Sequence, residues 1–433
     1  IKWKQNAVLT IPSPTGISEA CRNRNGGMNA WIYNESPTKE NLLFSFRDET
    51  GKEVCQLPFL LDFKGWRCIW AKFQGDMNMS SKSNIQSVEI QFPQHTKKGV
   101  TYIDLLEFTS KVSWQNMSDA QYKVNRTDYS LIPDFIGYRN ATPKVEKVIT
   151  AEDNQITTIT NRLTTWYLGS GQHSSERWIK MRTENEKTFI RNGVKAAQKI
   201  KIQYTEDHTP QGEPLFPMGA PTIIDGQEAK KFRSINENIL LPLALDYRKN
   251  QNDQSLKKAL YIYDWFNDQG WADGSSMGTL CFEKLRSSGY FHSFFLLKEQ
   301  LSPEQLKREL QTMNWFTMFG ACYQLPSHAG EVADNLRALA IPKLIYALSQ
   351  NDKQEREVAL TAFKHYMDNA LGIAPGFFGT FKADFSGYHH RGSYHSAYYP
   401  HALYAGALIA YLLHDTPYAL SETCLLYTSP SPR

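Results

Sequence analysis

The stretch GYHHRGSYHSAYYPHALYAG, residues 387–406, concentrates side chains that move protons. The chain has 11 histidines, and His389, His390, His395, His401 and His414 all lie near its C-terminal end. Tyr388, Tyr394, Tyr398, Tyr399 and Arg391 interleave with them. Three chemistries compete for such a segment. Metal ligation would draw on His389, His390 and His395, but neither HExxH nor a matched carboxylate accompanies them, so no metal is expected. Packing would make several of these rings structural, satisfied by backbone hydrogen bonds. Catalysis would pair a tyrosine with a histidine. A tyrosine works as base and acid when neighbouring cations favour its phenolate, and a histidine can abstract a proton or hold a carboxylate. That set suits β-elimination at a uronic acid. The weakly acidic proton beside the carboxylate needs a base, the carboxylate needs its charge offset, and the departing oxygen needs an acid.

Gly387, Gly392 and Pro400 mark the segment as a loop entering a helix that begins near His401. The elements around it must hold that loop. From about residue 143 the apolar period is helical. KVEKVITAEDNQITTITNRLTTWYLG places Val145, Val148, Ile156, Ile159, Leu163 and Trp166 on one side. SLKKALYIYDWFNDQG stops at Gly270. LSPEQLKRELQTMNWFTMFG opens with Ser302 as N-cap, Pro303 at the first helical position and Gln305 closing a capping box. Further helical runs follow, with modest loops. Neither a strand–GxGxxG–helix unit nor a P-loop is present, so the pattern points to an α/α toroid or bundle rather than βαβ units. Residues 1 to about 120 read differently. MNAWIYN, NLLFSFRD, EVCQLPFLL, RCIWAKF, SVEIQF and TYIDLLEFT are short strands separated by turns such as DETGKE. They predict an antiparallel sandwich of jelly-roll type.

The expected architecture is therefore multidomain α+β. It has a β-sandwich over 1–120, a polar linker over 121–142 and an incomplete α/α toroid over 143–423. The final CLLYTSPSPR (424–433) follows a helical run without turn logic, and it back-translates to a string resembling a sequencing-library adapter. It reads as a non-native tail, with the natural chain continuing past Thr423. A net charge of +4 over 433 residues argues against a general nucleic-acid binder. No apolar run is long enough to span a bilayer. The cysteines outside that tail are Cys21, Cys55, Cys68, Cys281 and Cys322, irregularly spaced and without CxxC, and read as buried free thiols.

Taken together, FKADFSGYHHRGSYHSAYY with YLLHDTPYALSE, YDWFNDQGWADGSS and NLLFSFRDETGKEV resembles the chondroitin sulfate ABC lyase family over nearly all of 1–423. The resemblance implies a jelly-roll domain, a toroidal catalytic domain and C-terminal β domains beyond this chain. It implies a catalytic His and Tyr in the opening segment, and an Arg and a Glu later than the chain reaches. Matching on SGYHHRGSY gives His390, and matching back from YLLHDTP gives Tyr398. The two anchors differ by one residue, which leaves His389 and Tyr399 as alternates. Arg391, Lys382 and Arg286 are candidates for carboxylate or sulfate contact, because cations of this type bind such groups. Trp271 and Tyr388 are candidates for stacking on sugars. Family members that take both uronate epimers carry a His pair shortly after the DQG region. This chain has Cys281 and Phe282 there, with Glu283 next and His292 close by but not aligned. That departure points towards chondroitin rather than the iduronate-containing polymer. The resemblance also implies a periplasmic or secreted bacterial enzyme that needs no cofactor, with structural calcium a further expectation for the N-terminal domain. Two rival readings are a non-catalytic glycan-binding protein and an α/α-toroid glycoside hydrolase, the latter needing two carboxylates flanking the bond.

Overall fold

The computed structural model describes residues 1–112, 137–169, 176–215, 230–275, 286–394 and 396–422. Most of the expected linker, the Cys281–Glu283 position, His395 and the 424–433 tail lie outside the described residues. The chain is a multidomain α+β protein, β-rich at its N-terminal end and helical after it. Strands β1 (Lys2–Lys4), β2 (Val8–Pro12), β3 (Gly27–Asn34), β4 (Asn41–Arg47), β5 (Glu53–Leu60), β6 (Gly65–Lys72), β7 (Ser87–Gln91) and β8 (Lys98–Thr109) come first, with helix α1 (Ile17–Arg22) among them. Helices α2 (Asp153–Leu168), α3 (Arg177–Ala197), α4 (Leu241–Asn250), α5 (Asp253–Asp268), α6 (Ser288–Leu297), α7 (Pro303–Thr317), α8 (Ala333–Leu348), α9 (Lys353–Ala370) and α10 (Tyr398–Leu413) follow. The chain packs as two compact units. One comprises Ile1–Ile136, Lys201–Phe232 and Ile262–Glu283, the other Gly137–Ile200, Arg233–Tyr261 and Lys284–Arg433.

In the first unit the strands form two four-stranded antiparallel sheets, ordered β1-β8-β3-β6 and β2-β7-β4-β5. Strand β5 shows why. Cys55, Leu57 and Phe59 are buried while Gln56 and Pro58 between them are exposed, the period-two alternation of a strand with one wet face. Those inward residues join Phe44 and Phe46 of β4, Ile32 of β3 and Ile69 of β6 in one core shared by both sheets. Strand β3 is buried along its whole length, because its outer face is covered too. There the Tyr33 hydroxyl donates to the Asp268 carbonyl and Arg67 Nε donates to the Gly274 carbonyl at 2.6 Å. Gly65, at φ +97°, lets the chain pass so close that a Cβ would sit 2.7 Å from the Gly270 carbonyl oxygen.

In the second unit α8 and α10 pack against each other. Helix α8 contributes buried Leu336, Leu339, Leu344 and Ile345, and α10 contributes Ala402, Ile409, Leu412 and Leu413. At about 1.5–3 kcal/mol for each fully buried Leu or Ile, this pairing gives α10 a firm seat. Helix α7 begins as the sequence demands. Ser302 accepts from Gln305 N, the Gln305 side chain returns to the Ser302 backbone, and Pro303 opens the first turn. Helix α2 begins later than its periodicity suggests. Thr361 and Glu357 of α9 accept the backbone N–H groups of Ile149 and Ala151, which holds that stretch out of helix. The helix starts only where Glu152 and Gln155 form a capping box.

Candidate active site

The His–Tyr segment is not a plain loop. Strands β11 (Tyr388–His389) and β12 (Gly392–Ser393) pair as a hairpin, in the register Tyr388↔Ser393 and His389↔Gly392. Two-residue strands β9 (Gln203–Tyr204) and β10 (Pro210–Gln211) precede it in the chain. The hairpin is held by Tyr388 N donating to the Thr380 carbonyl at 2.9 Å and Tyr394 N to the Gly387 carbonyl at 2.8 Å. Its two-residue turn is His390–Arg391, at φ +50° and +62°. A turn with positive φ at both central residues is normally filled by Asn-Gly or Gly-Gly. Left-handed backbone at a residue with a full side chain costs about 1–3 kcal/mol, and such strain clusters at functional sites. Here it lifts two titratable or cationic side chains into solvent, since His390 and Arg391 are both exposed.

Helix α10 starts at Tyr398, earlier than expected, and brings that tyrosine to the hairpin. The Tyr398 ring lies 3.9 Å from the His389 ring at an interplanar angle of 31°, and 5.4 Å from the His390 ring at 87°. Tyr394 stands edge-on to Tyr398 at 5.2 Å. The two histidine rings are 4.0 Å apart. His389 is buried, whereas His390 is exposed and Tyr398 half-buried. Beneath them α8 supplies Asp334 and Arg337. Asp334 Oδ2 is 3.3 Å from His389 Nε2, and the Arg337 guanidinium is 5.3 Å from the centre of the Tyr398 ring. Burial lowers the His389 pKa. Asp334 opposes the shift, while His390 and Arg337 add to it.

The alternates separate in space. Tyr399 turns away from the histidines and stacks edge-on against Phe381 at 5.7 Å. It fills the space beside Gly387, where a Cβ would meet its ring at 2.1 Å. Lys382 is 7% exposed, and its ammonium is caged by the carbonyls of Ala374, Gly376 and Phe378. It stands 4.9 Å from the Tyr388 ring, so it holds Tyr388 and the 374–378 turn rather than reaching solvent. Tyr388 itself is half-buried. Trp271, in the first unit, is 1% exposed against Phe232 and has no face open to a sugar. Arg286 is half-buried, and its carbonyl accepts from Asn236 Nδ2 at 2.8 Å.

A pocket of about 290 Å³ shares Arg337 with the cluster. Trp166, His292, His401, Tyr404 and Leu408 help to line it. Trp166 Nε1 donates to the Tyr404 hydroxyl at 3.3 Å. His292 is half-buried, hydrogen-bonded through Nδ1 to the Tyr167 hydroxyl, and its pKa is lowered by desolvation to about 4. It therefore stands as neutral imidazole at neutral pH. Among the described residues no group of three or more His, Cys, Asp or Glu side chains is placed to hold a metal ion. Sequence reasoning did not single out Asp334 and Arg337. Their only local signal is an acid and a base one helical turn apart.

Comparison with known proteins identifies the family. Residues 1–124 match the family model described as lyase, N terminal, and residues 142–425 the model described as lyase, catalytic. The chondroitin sulfate ABC exolyase of Bacteroides thetaiotaomicron is 25% identical over 420 residues, which cover 90% of this chain and 39% of that protein. The Proteus vulgaris chondroitin sulfate ABC exolyase is 20% identical over 91% of this chain and 41% of its own length. The chain thus spans about two-fifths of the length of these curated relatives. A solved structure of Streptomyces coelicolor A3 chondroitin AC lyase in complex with chondroitin sulphate aligns with 64% of this chain and 35% of its own, at 11% identity and a TM-score of 0.48. With both models matched in order and the catalytic one covering most of the chain, the protein belongs to the lyase family of the chondroitin sulfate ABC lyases.

Proposed function

We propose that the chain carries the His–Tyr half of the active site of a glycosaminoglycan lyase that cleaves chondroitin-type polymers by β-elimination. The observation that carries the reading is the His390–Arg391 turn, which spends backbone energy to hold His390 in solvent beside Tyr398. In this reading His390 offsets the uronate carboxylate and shares the first proton transfer. Tyr398 removes the proton next to that carboxylate. The electrons form the ring double bond, the bond to the departing glycosidic oxygen breaks, and that oxygen takes a proton from Tyr398 or water. Arg391 stands where it can meet the carboxylate or a sulfate. The half-aromatic pocket lined by Trp166 and Tyr404 has room for a neighbouring sugar ring. Its His292 is neutral, so it adds no positive charge. The named domain types, a jelly roll over 1–120 and a toroid over 143–423, belong to the same reading, as does a periplasmic or secreted location, since a polymer of this size is degraded outside the cytoplasm. The reaction needs no cofactor, and calcium in the first unit would be structural.

The hydrolase alternative needs two free carboxylates. Among the described residues the carboxylate at the cluster is Asp334, which is committed to Arg337 and His389, while Asp384 Oδ1 accepts from Ser386 N and Oγ. The test is the ultraviolet absorbance of unsaturated uronate, followed separately on chondroitin sulfate, dermatan sulfate and hyaluronan with the full-length natural protein. Growth of the signal on chondroitin sulfate, lost in Tyr398→Phe, is expected. Binding to all three polymers without any absorbance change would replace the lyase with a glycan-binding protein.

A further inference from the structure

We propose that Asp334 is a positioning residue of the His390–Tyr398 site, a single carboxylate that fixes both His389 and Arg337, the two groups against which the Tyr398 ring is seated. What the site does rests on the lyase reading above; the contacts do not. Asp334 Oδ2 faces His389 Nε2 at 3.3 Å, and Oδ1 receives Arg337 Nε and Nη2, each at 2.7 Å. His389 then lies over the Tyr398 ring at 3.9 Å, and the guanidinium stands 5.3 Å from the same ring. The carboxylate is itself well anchored. It sits in the first turn of α8, whose flanking Ala333 and Leu336 are fully buried.

The first consequence is electrostatic. Asp334 Oδ2 lies within ion-pair reach of His389 Nε2, and the contact is one of charge, since neither ring nitrogen of His389 has a hydrogen-bond partner among the described residues. A carboxylate so placed favours the protonated ring and draws it towards α8. The second consequence is a shared constraint. Moving Asp334 releases the histidine and the arginine together, so Tyr398 loses two neighbours through one change. Among the described residues, the charged and titratable groups that face His389 are Asp334, Arg337, His390, Tyr394 and Tyr398. A bland alternative exists. An acid in a first turn also favours the helix dipole by about 0.3–1 kcal/mol. That role would lower the melting temperature and leave His389 unmoved.

The experiment follows the His389 ring by NMR titration in this chain, in Asp334→Asn, Asp334→Glu and Arg337→Gln, and in Glu304→Gln as a first-turn control on α7. Asp334→Asn is expected to move the His389 midpoint to lower pH by about one unit, because an attractive charge is lost. Arg337→Gln, which removes a repulsive one, is expected to move it up, and this second variant decides the matter if Asn unfolds the helix. Glu304→Gln should lower stability alone. A folded Asp334→Asn with an unmoved midpoint overturns the proposal. In the full-length protein Asp334→Asn is expected to cut kcat about 10- to 100-fold with KM little changed, and Asp334→Glu to restore most of it. Should the parent protein turn over no glycan, the lyase reading fails, and the titration alone decides for or against Asp334.

Discussion

Two hairpin turns in this molecule solve the same geometric problem with opposite residues. Between β4 and β5, the chain reverses through Asp48-Glu49-Thr50-Gly51. Asp48 Oδ1 accepts from Thr50 N, Thr50 Oγ1 and Lys52 N, and the left-handed position is a glycine at φ +81°. Asp48 and Gly51 are the residues such a turn favours. Between β11 and β12 the chain reverses through His390 and Arg391, both left-handed and neither the Asn or Gly that this turn favours. The first turn is built for the fold. The second carries backbone strain that the first avoids, and in the function proposed above that strain serves what its side chains do.

The comparison is most sharply tested by turnover. Tyr398→Phe removes the phenol from the histidine cluster and is expected to reduce turnover about 100- to 10,000-fold, the range for losing a positioned acid–base group. Tyr399→Phe keeps the packing against Phe381 and Gly387 and should leave turnover near the parent value. Steady-state kinetics on chondroitin sulfate distinguishes them. Equal losses in both variants would mean that the hairpin positions neither ring for chemistry.

The site carries a second, electrostatic cost in His292. Its folded pKa is about 4 against an ordinary 6.5, and the shift comes from burial rather than from a partner charge. Between those values the unfolded chain binds a proton that the folded chain refuses, so stability rises with pH across that window. It is fully present above about 6.5 and lost as pH falls towards 4, with an upper limit on the order of 3 kcal/mol. Urea denaturation at a series of pH values should show this limb, and His292→Gln should flatten it. A limb that survives the substitution would assign the acid sensitivity to other groups.

How much of this was legible in the sequence follows the range of the forces involved. Strands β3 to β8 were readable because each is a short run rich in β-branched and aromatic residues between turn signals, and the start of α7 because Ser302, Pro303 and Gln305 are neighbours. The start of α2 was misjudged because residues on α9 decide it. The hairpin at 388–393 was not readable, since His and Arg are poor signals for a turn with two positive φ values. The segment His390 to Tyr398 could be picked out by residue type, yet Asp334 and Arg337 could not, because only the packing of α8 on α10 brings them there. Burial likewise decided Lys382 and Trp271: a cation and an aromatic look available in sequence and are enclosed in the fold.

The cost of the second turn can be measured directly. Replacing His390→Asn and Arg391→Gly together installs the residues this geometry prefers, and should stabilise the protein by about 1–2 kcal/mol while abolishing turnover. A double variant that is less stable than the parent would show that His390 and Arg391 make contacts that repay their backbone.

The smallest effect calibrates the rest. Gly51 has nothing within 4 Å of where a Cβ would go. Gly51→Ala therefore adds no clash and removes no contact, and its effect is the backbone cost of one left-handed residue. That cost should be about 1 kcal/mol in chemical denaturation, with Gly51→Asn losing less because asparagine tolerates the conformation. This single value is the unit in which the His390–Arg391 turn is to be read. If Gly51→Ala were neutral, positive φ would be cheap in this protein, and the strain at His390 and Arg391 would no longer argue for function. If it costs the expected amount, two such residues side by side represent a burden of about twice that value, which the role proposed for His390 beside Tyr398 would account for.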